Sequence, residues 1–145
     1  MSALNALQMK IGGPAHLVDR EAIIVDAQRA LEGLAPQIEA GLQGLRIRLR
    51  LAMRESEPDY AEAFSAAHQI RGLAGSVGRN SVGALGDILA TYITRCRDAG
   101  SICSVDATQA LACAVDRAFE LEEGDAVLAA VLAAGVKLNA VTQPK

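Results

Sequence analysis

The chain has 145 residues, the size of one ordinary domain, and 51% of them are hydrophobic while only 3% are aromatic. Its formal net charge of −3 provides no basic footprint, which argues against nucleic acid as a partner. The cysteines are Cys96, Cys103 and Cys113, with no C-x-x-C pair, and we expect buried or half-buried thiols in a reducing cytosol. No metal site is expected, because a zinc site needs more ligands at suitable spacing.

Residues 1–18 are expected to form a loose N-terminal arm, because Gly12-Gly13-Pro14 interrupts any regular structure there. The arm has no apolar stretch typical of a signal peptide, and the longest apolar run of the chain, residues 126–136, is too short to cross a bilayer. We therefore expect a cytoplasmic protein without membrane contact. His16 has nothing organised around it in the sequence and is expected to have no chemical role.

A short first helix is predicted between Asp19 and Gly33, and a stronger helical pattern begins at Pro36. The apolar stripe of that second pattern consists of Leu34, Ile38, Leu42, Leu45, Leu49 and Ala52. Four arginines lie mostly off the stripe: Arg46, Arg48, Arg50 and Arg54. They form either a solvated basic face or a docking surface for an acidic partner.

Three further helical segments are predicted, at about residues 58–77, 80–98 and 106–121, followed by a short apolar tail at 126–136. Alanine and leucine dominate, and apolar residues do not alternate with period two over any useful length, which disfavours strands. The sequence thus predicts an all-α protein: an antiparallel four-helix bundle with an additional short N-terminal helix. Residues 19–136 form the single predicted domain, and residues 137–145 form a C-terminal tail.

His68 lies at the edge of the apolar stripe of the helix at 58–77, about 100° around the helix from Ala67. The stripe itself is Tyr60, Ala63, Ala67, Ile70, Ala74 and Val77. Phe64, Arg71, Gly72 and Gly75 share the strip of His68, one or two turns away. Each glycine costs a helix about 1 kcal/mol relative to alanine. Two of them beside a histidine indicate a surface kept bare for a neighbour, although a lone helical histidine is more often structural and helical glycines often serve packing.

Residues 68–78 read H-Q-I-R-G-L-A-G-S-V-G. This segment resembles the signature H-x-[LI]-[KR]-G-x-[AS]-x-x-x-G of histidine-containing phosphotransfer (HPt) domains, the histidine carriers of multistep two-component phosphorelays. Asp59 also agrees with the acidic residue that often precedes the histidine helix in that family. The helical plan from about residue 25 to 121 is similar as well, but the specificity of the resemblance rests on the eleven residues of the motif.

The resemblance implies a role for each matching residue. His68 corresponds to the phosphorylated histidine, and Arg71 to the basic residue that steadies the phosphoryl group. Gly78 corresponds to the glycine that closes the helix. The implied docking surface for a partner consists of Phe64, Ser65, Gln69, Gly72 and Gly75.

Two positions depart from the family pattern. Leu73 stands where a small residue is common, so it either makes the docking surface bulkier or packs inward. Ile93-Thr94 stands where a Leu-Glu pair is frequent on the following helix. Neither departure touches the residues that would carry the phosphoryl chemistry.

The expected function is therefore that of a monomeric phosphoryl carrier between receiver domains, with a hybrid histidine kinase as a further partner. The chain has no G-x-x-x-x-G-K-[ST] loop for ATP and needs no cofactor of its own, since Mg²⁺ would belong to the receiver. One alternative is a helical binding protein that regulates a receiver or kinase without being phosphorylated. Another is a dimerising histidine phosphotransferase with a degenerate ATPase domain, whose H-E/D motif His68-Gln69 does not match.

Overall fold

The computed structural model describes residues 16–141, and the side chains of residues 20–140. Every regular element in that range is helical, which confirms the all-α prediction. The elements are α1 (His16–Ala52), α2 (Tyr60–Ala74), a 3₁₀ turn (Gly75–Val77), α3 (Asn80–Asp98), α4 (Val105–Ala118) and α5 (Ala126–Val141). None of the helices in the described range is long and apolar enough to span a membrane. Most of the predicted arm, residues 1–15, and the last four residues of the predicted tail lie outside the described residues.

The first helix differs from the prediction. α1 is one helix of 37 residues with Pro36 inside it, so the expected short N-terminal helix and the helix after it are continuous. Leu34, Ile38 and Leu42 continue the same apolar spacing across the proline, which removes only one backbone hydrogen bond. The expected apolar tail at 126–136 is likewise part of a helix, α5, and the predicted domain limits at residues 19 and 136 fall within helices.

The chain divides into two compact units, Met1–Pro36 and Gln37–Lys145. In the first unit, α1 carries four exposed large apolar side chains: Ile24, Val25, Leu31 and Leu34. In the second unit, α3 contacts α2, α4 and α5, and its residues Leu85 and Leu89 are completely buried. The core of this unit is therefore built around α3.

Ion pairs join the C-terminal part of α1 to α2 and α4. They are Arg46 with Asp116 at 2.7 Å and with Glu120 at 3.0 Å, Arg50 with Asp116 at 2.7 Å, and Arg48 with Glu62 at 2.6 Å. The hydrogen bond from Arg46 is the main reason that the pKa of Asp116 lies below its usual value. Three of the four arginines on the predicted basic face thus pair with carboxylates of this chain, which argues against a docking surface for an acidic partner there.

Candidate functional site

α2 presents the residues that the sequence singled out. Asp59 caps the helix, its carboxylate accepting a hydrogen bond of 3.1 Å from the backbone N–H of Glu62. The side chains buried on the inner face of α2 are Ala63, Ala66, Ala67, Ile70 and Ala74. Four of these five belong to the predicted apolar stripe, and Tyr60 and Val77 at its ends are half-buried against the core. His68 follows directly after a fully buried residue and is exposed.

Small residues bring α3 against the back of α2. A Cβ placed on Gly86 would lie 2.9 Å from the carbonyl oxygen of Ala67 and 3.2 Å from Cγ2 of Ile70. A Cβ placed on Gly83 would lie 3.3 Å from Cβ of Ala74. The packing glycines of this site are therefore on α3, and they hold the segment of α2 that carries His68 at a close and fixed distance.

The imidazole of His68 stacks on Phe64, one turn earlier in α2. The two ring centroids are 5.7 Å apart and the planes differ by 9°. Phe64 is half-buried against the core and so provides a fixed support for the exposed imidazole. Among the side chains described, those of residues 20–140, none forms a hydrogen bond with either ring nitrogen of His68, so both nitrogens can bind a partner.

Arg71, one turn after His68, is exposed and pairs with Asp87 of α3. Its Nε lies 3.4 Å from Oδ1 of Asp87, and both side chains are about half exposed. An ion pair of this length and exposure contributes little free energy, about 0–1 kcal/mol. Arg71 can therefore exchange this carboxylate for another anion at small cost. The resemblance implied that this cation steadies a phosphoryl group, and the sequence did not predict the competing carboxylate.

Gly72 and Gly75 leave the surface beyond His68 bare. Both are exposed, and a Cβ built on either would have no heavy atom within 4 Å outside the local backbone. Neither glycine therefore serves helix packing, unlike Gly83 and Gly86. On the other side of the imidazole, Gln69 donates a hydrogen bond of 3.1 Å from Nε2 to Oγ of Ser65.

Gly78 ends the helical segment that carries the site. Its φ of 76° is in the left-handed region that favours glycine. The N–H of Arg79 donates to the carbonyl of Ala74 at 2.9 Å, and the N–H of Gly78 donates to the carbonyl of Gly75 at 3.3 Å. This pair of bonds is a Schellman motif, which satisfies the last carbonyls of the helix.

The residues that depart from the HPt pattern are all at least half-buried. Leu73 is half-buried and packs against the core, so it does not add bulk to the strip. Ile93 is buried and Thr94 is half-buried on α3. Of the two possibilities for Leu73, the structure therefore supports inward packing.

The cysteines and acidic residues do not form a metal site in the described part of the chain, where no cluster of three or more His, Cys, Asp or Glu residues could hold an ion. All three cysteines are free, but Cys113 is exposed, contrary to the expectation of buried or half-buried thiols. It lines a cleft together with Arg46 and Asp116. Burial, together with a hydrogen bond to the Cys96 thiol, raises the pKa of the half-buried Cys103 to about 12, which keeps that thiol protonated and unreactive.

Three residues near the site were not predicted from the sequence: Gly86, Asp87 and Arg97, all on α3. The guanidinium carbon of Arg97 lies 5.6 Å from the centroid of the Phe64 ring that supports His68. Gly86 had a detectable signal, because it falls between Val82 and Leu89 on the apolar side of α3. Asp87 and Arg97 had none, because they reach the site from a different helix.

Comparison with known proteins adds no relative: no family model, no curated protein and no solved structure matches the chain.

Proposed function

We propose that the protein is a phosphorelay carrier of the HPt type, which accepts a phosphoryl group on His68 from the aspartate of one receiver domain and passes it to another. The observation that carries the proposal is the environment of His68. An exposed imidazole without a hydrogen-bonding partner among the described residues stacks on Phe64, next to two glycines that face open space. In this proposal the helices of the second unit, with the C-terminal part of α1, correspond to the antiparallel HPt bundle.

The chemistry requires little of this chain beyond a positioned nucleophile. The lone pair of one ring nitrogen of His68 forms the bond to phosphorus, while the bond between phosphorus and the aspartate oxygen breaks and the carboxylate leaves. The other ring nitrogen carries the proton and exchanges it with solvent. Phosphoryl transfer depends mainly on in-line positioning, so the bare surface at Gly72 and Gly75 matters because it lets the donor approach the ring. Mg²⁺ and the carboxylates that bind it belong to the receiver in this scheme.

Arg71 supplies charge stabilisation in the proposed mechanism. A phosphorylated histidine carries roughly two negative charges, and the planar guanidinium suits phosphate oxygens. Arg71 releases Asp87 and turns to the phosphoryl group once that group is on His68. The weak ion pair at 3.4 Å makes this exchange inexpensive.

The test is phosphoryl transfer from receiver domains. A panel of purified receiver domains from the genome that encodes the chain is charged with acetyl phosphate and mixed with the protein. We expect at least one of them to transfer a label that is lost in acid and kept in base, as a phosphoramidate bond requires. Receiver binding without any label would instead support the alternative function, a helical protein that regulates a receiver without being phosphorylated.

A further inference from the structure

A cleft of about 420 Å³ opens beside the Phe64 ring, on the side of α2 that leads away from Gly72. Its wall and floor come from α2, α3 and the connector between α3 and α4: Tyr60, Phe64, Ile93, Arg97, Ile102 and Cys103. Because Phe64 both lines the cleft and stacks on His68, the cleft is continuous with the candidate site.

The most exposed large apolar side chain at this cleft is Ile102, which is 94% exposed. Its connector is held at both ends. The N–H of Ser101 donates to the carbonyl of Cys96 at 2.8 Å, and the N–H of Ser104 donates to the hydroxyl of Tyr92 at 3.1 Å. The exposure of Ile102 is therefore a property of an ordered turn, and it adds an accessible apolar side chain to the lining of the cleft.

The polar character of the cleft is positive. Arg97 has its side chain 66% exposed, and among the described residues it pairs with Asp98 alone, which is 3.9 Å away and itself exposed. That separation leaves most of the charge of Arg97 uncompensated. The rest of the lining carries no charge. Burial raises the pKa of the Tyr60 hydroxyl and that of the Cys103 thiol, so both groups stay protonated and neutral. The cleft thus combines apolar walls with one available guanidinium.

We propose that this cleft is a second contact for the receiver domain, which fills it with an apolar side chain and places a neighbouring carboxylate on Arg97. The proposal rests on the proposed phosphorelay function and names the partner chemistry that the site selects. The helical segment from Tyr60 to Gly75 is about 22 Å long, at a rise of 1.5 Å per residue. One partner in a standard interface contributes a patch of about 800 Å², which is wide enough to cover a segment of that length. His68 lies near the middle of that span, so one receiver can contact the cleft and the bare strip together.

Two variants test the cleft: Ile102→Ala and Arg97→Ala. Neither removes a buried side chain, so both are expected to fold. Val127→Ala is the matched control, because Val127 is 59% exposed and lies in the first turn of α5, four residues after Glu123, which accepts a hydrogen bond from Ser81 at the opposite end of α3. The rate of His68 labelling is measured against the concentration of the receiver that labels the parent most rapidly in the panel. Labelling by phosphoramidate, a donor too small to need docking, is measured beside it.

We expect each cleft variant to raise the half-saturating receiver concentration about five-fold or more without changing the maximal rate, and the Val127 variant to match the parent. The effect of Arg97→Ala is expected to shrink at high salt, because it removes a charge contact. Labelling by phosphoramidate should be equal for the parent, Ile102→Ala and Val127→Ala, and for Arg97→Ala, whose guanidinium lies over Phe64, the receiver-dependent rate is compared with its own phosphoramidate rate. Equal half-saturating receiver concentrations for the parent and the cleft variants would overturn this inference and leave the proposed function intact. The same conclusion would follow if a cleft variant lost phosphoramidate labelling by the same factor as receiver-dependent labelling. A parent that no receiver labels would overturn both.

Discussion

The rings of His68 and Phe64 lie almost parallel, 9° apart in plane and 5.7 Å apart in centroid distance. Phe64 packs against the core of the second unit, so this contact transmits the rigidity of the core to an otherwise exposed imidazole. A nucleophile that is already oriented loses less freedom when the donor arrives. The stack therefore links the packing of α2 to the proposed transfer chemistry.

Replacing Phe64 tests this link. Aromatic contacts of this kind contribute about 0.5–1.5 kcal/mol, so we expect Phe64→Leu to slow labelling of His68 by phosphoramidate roughly two- to ten-fold. Phe64→Tyr retains the ring and is expected to keep most of the parent rate. Melting temperatures of the three proteins, measured alongside, separate a loss of orientation from a loss of folded protein. A leucine variant that is fully folded and labels at the parent rate would show that the stack is incidental.

The pair between Arg71 and Asp87 leads to opposite expectations for its two members. Arg71→Ala removes the cation, so phosphohistidine should form more slowly and hydrolyse sooner, with Arg71→Lys in between. Asp87→Asn removes the competing carboxylate, so the phosphohistidine should last longer than in the parent. The hydrolysis half-life of the phosphorylated proteins gives all four values under one set of conditions.

The double variant Arg71→Ala with Asp87→Asn is the control for this pair. If Asp87 acts only through Arg71, the asparagine has no effect in the alanine background. Equal half-lives for the parent and every single variant would mean that Arg71 does not contact the phosphoryl group.

The exposed and buried glycines of the site provide a matched pair of substitutions. Gly75→Leu adds bulk to open space, so it should slow transfer from a receiver while leaving stability unchanged or slightly higher. Gly86→Ala places a Cβ 2.9 Å from the carbonyl oxygen of Ala67, so it should destabilise the fold by about 1–3 kcal/mol.

Chemical denaturation and receiver-dependent labelling of both variants check this assignment. If Gly75→Leu accepts the phosphoryl group from a receiver at the parent rate, the bare strip is not a docking surface. Gly86→Ala that is as stable as the parent would show that α2 and α3 can separate without cost.

Asp116 predicts how stability depends on pH. Its pKa is lowered in the folded state, mainly by the hydrogen bond from Arg46. The ionised carboxylate therefore contributes its full stabilising free energy above the pKa of the unfolded chain, about 3.9, and this contribution is lost as the pH falls from there through the lower pKa of the folded state. Asp116→Asn should therefore cost about 1–3 kcal/mol at pH 7 and progressively less below pH 4. Urea denaturation of both proteins at pH 7 and near pH 3.5 measures the difference, and a gap that is constant with pH would contradict the assignment.

Helical periodicity was sufficient to predict the inner face of α2, because the 3.6-residue repeat fixes which residues share a side. Ala63, Ala67, Ile70 and Ala74 are all completely buried, and His68 is exposed beside them. The predicted helix boundary near Pro36 is wrong, because α1 continues through the proline. The apolar spacing on both sides of Pro36 is unbroken, and it indicates the continuous helix better than the proline indicates a break. Local rules misplace a helix boundary when the surrounding apolar pattern offsets the cost of one lost hydrogen bond.

Contacts between helices were beyond the reach of one sequence. Asp87 is 16 residues from Arg71 along the chain and meets it only because α3 folds back along α2. The start of α3 gives a second example: Glu123, 42 residues further along the chain, accepts hydrogen bonds from the N–H and the hydroxyl of Ser81 at 2.8 and 2.7 Å. Such long-range partners follow from the packing of helices, which periodicity within a single helix does not specify.

The most direct test of the account compares phosphoryl labelling of the parent, His68→Gln and His16→Gln by the same charged receiver. These are the two histidines of the chain, so the His16 variant is the matched control. We expect the parent and His16→Gln to take up to one acid-labile phosphoryl group per chain, and His68→Gln to take none while keeping its helical circular dichroism signal and melting temperature. Undiminished labelling of a folded His68→Gln protein would contradict the account.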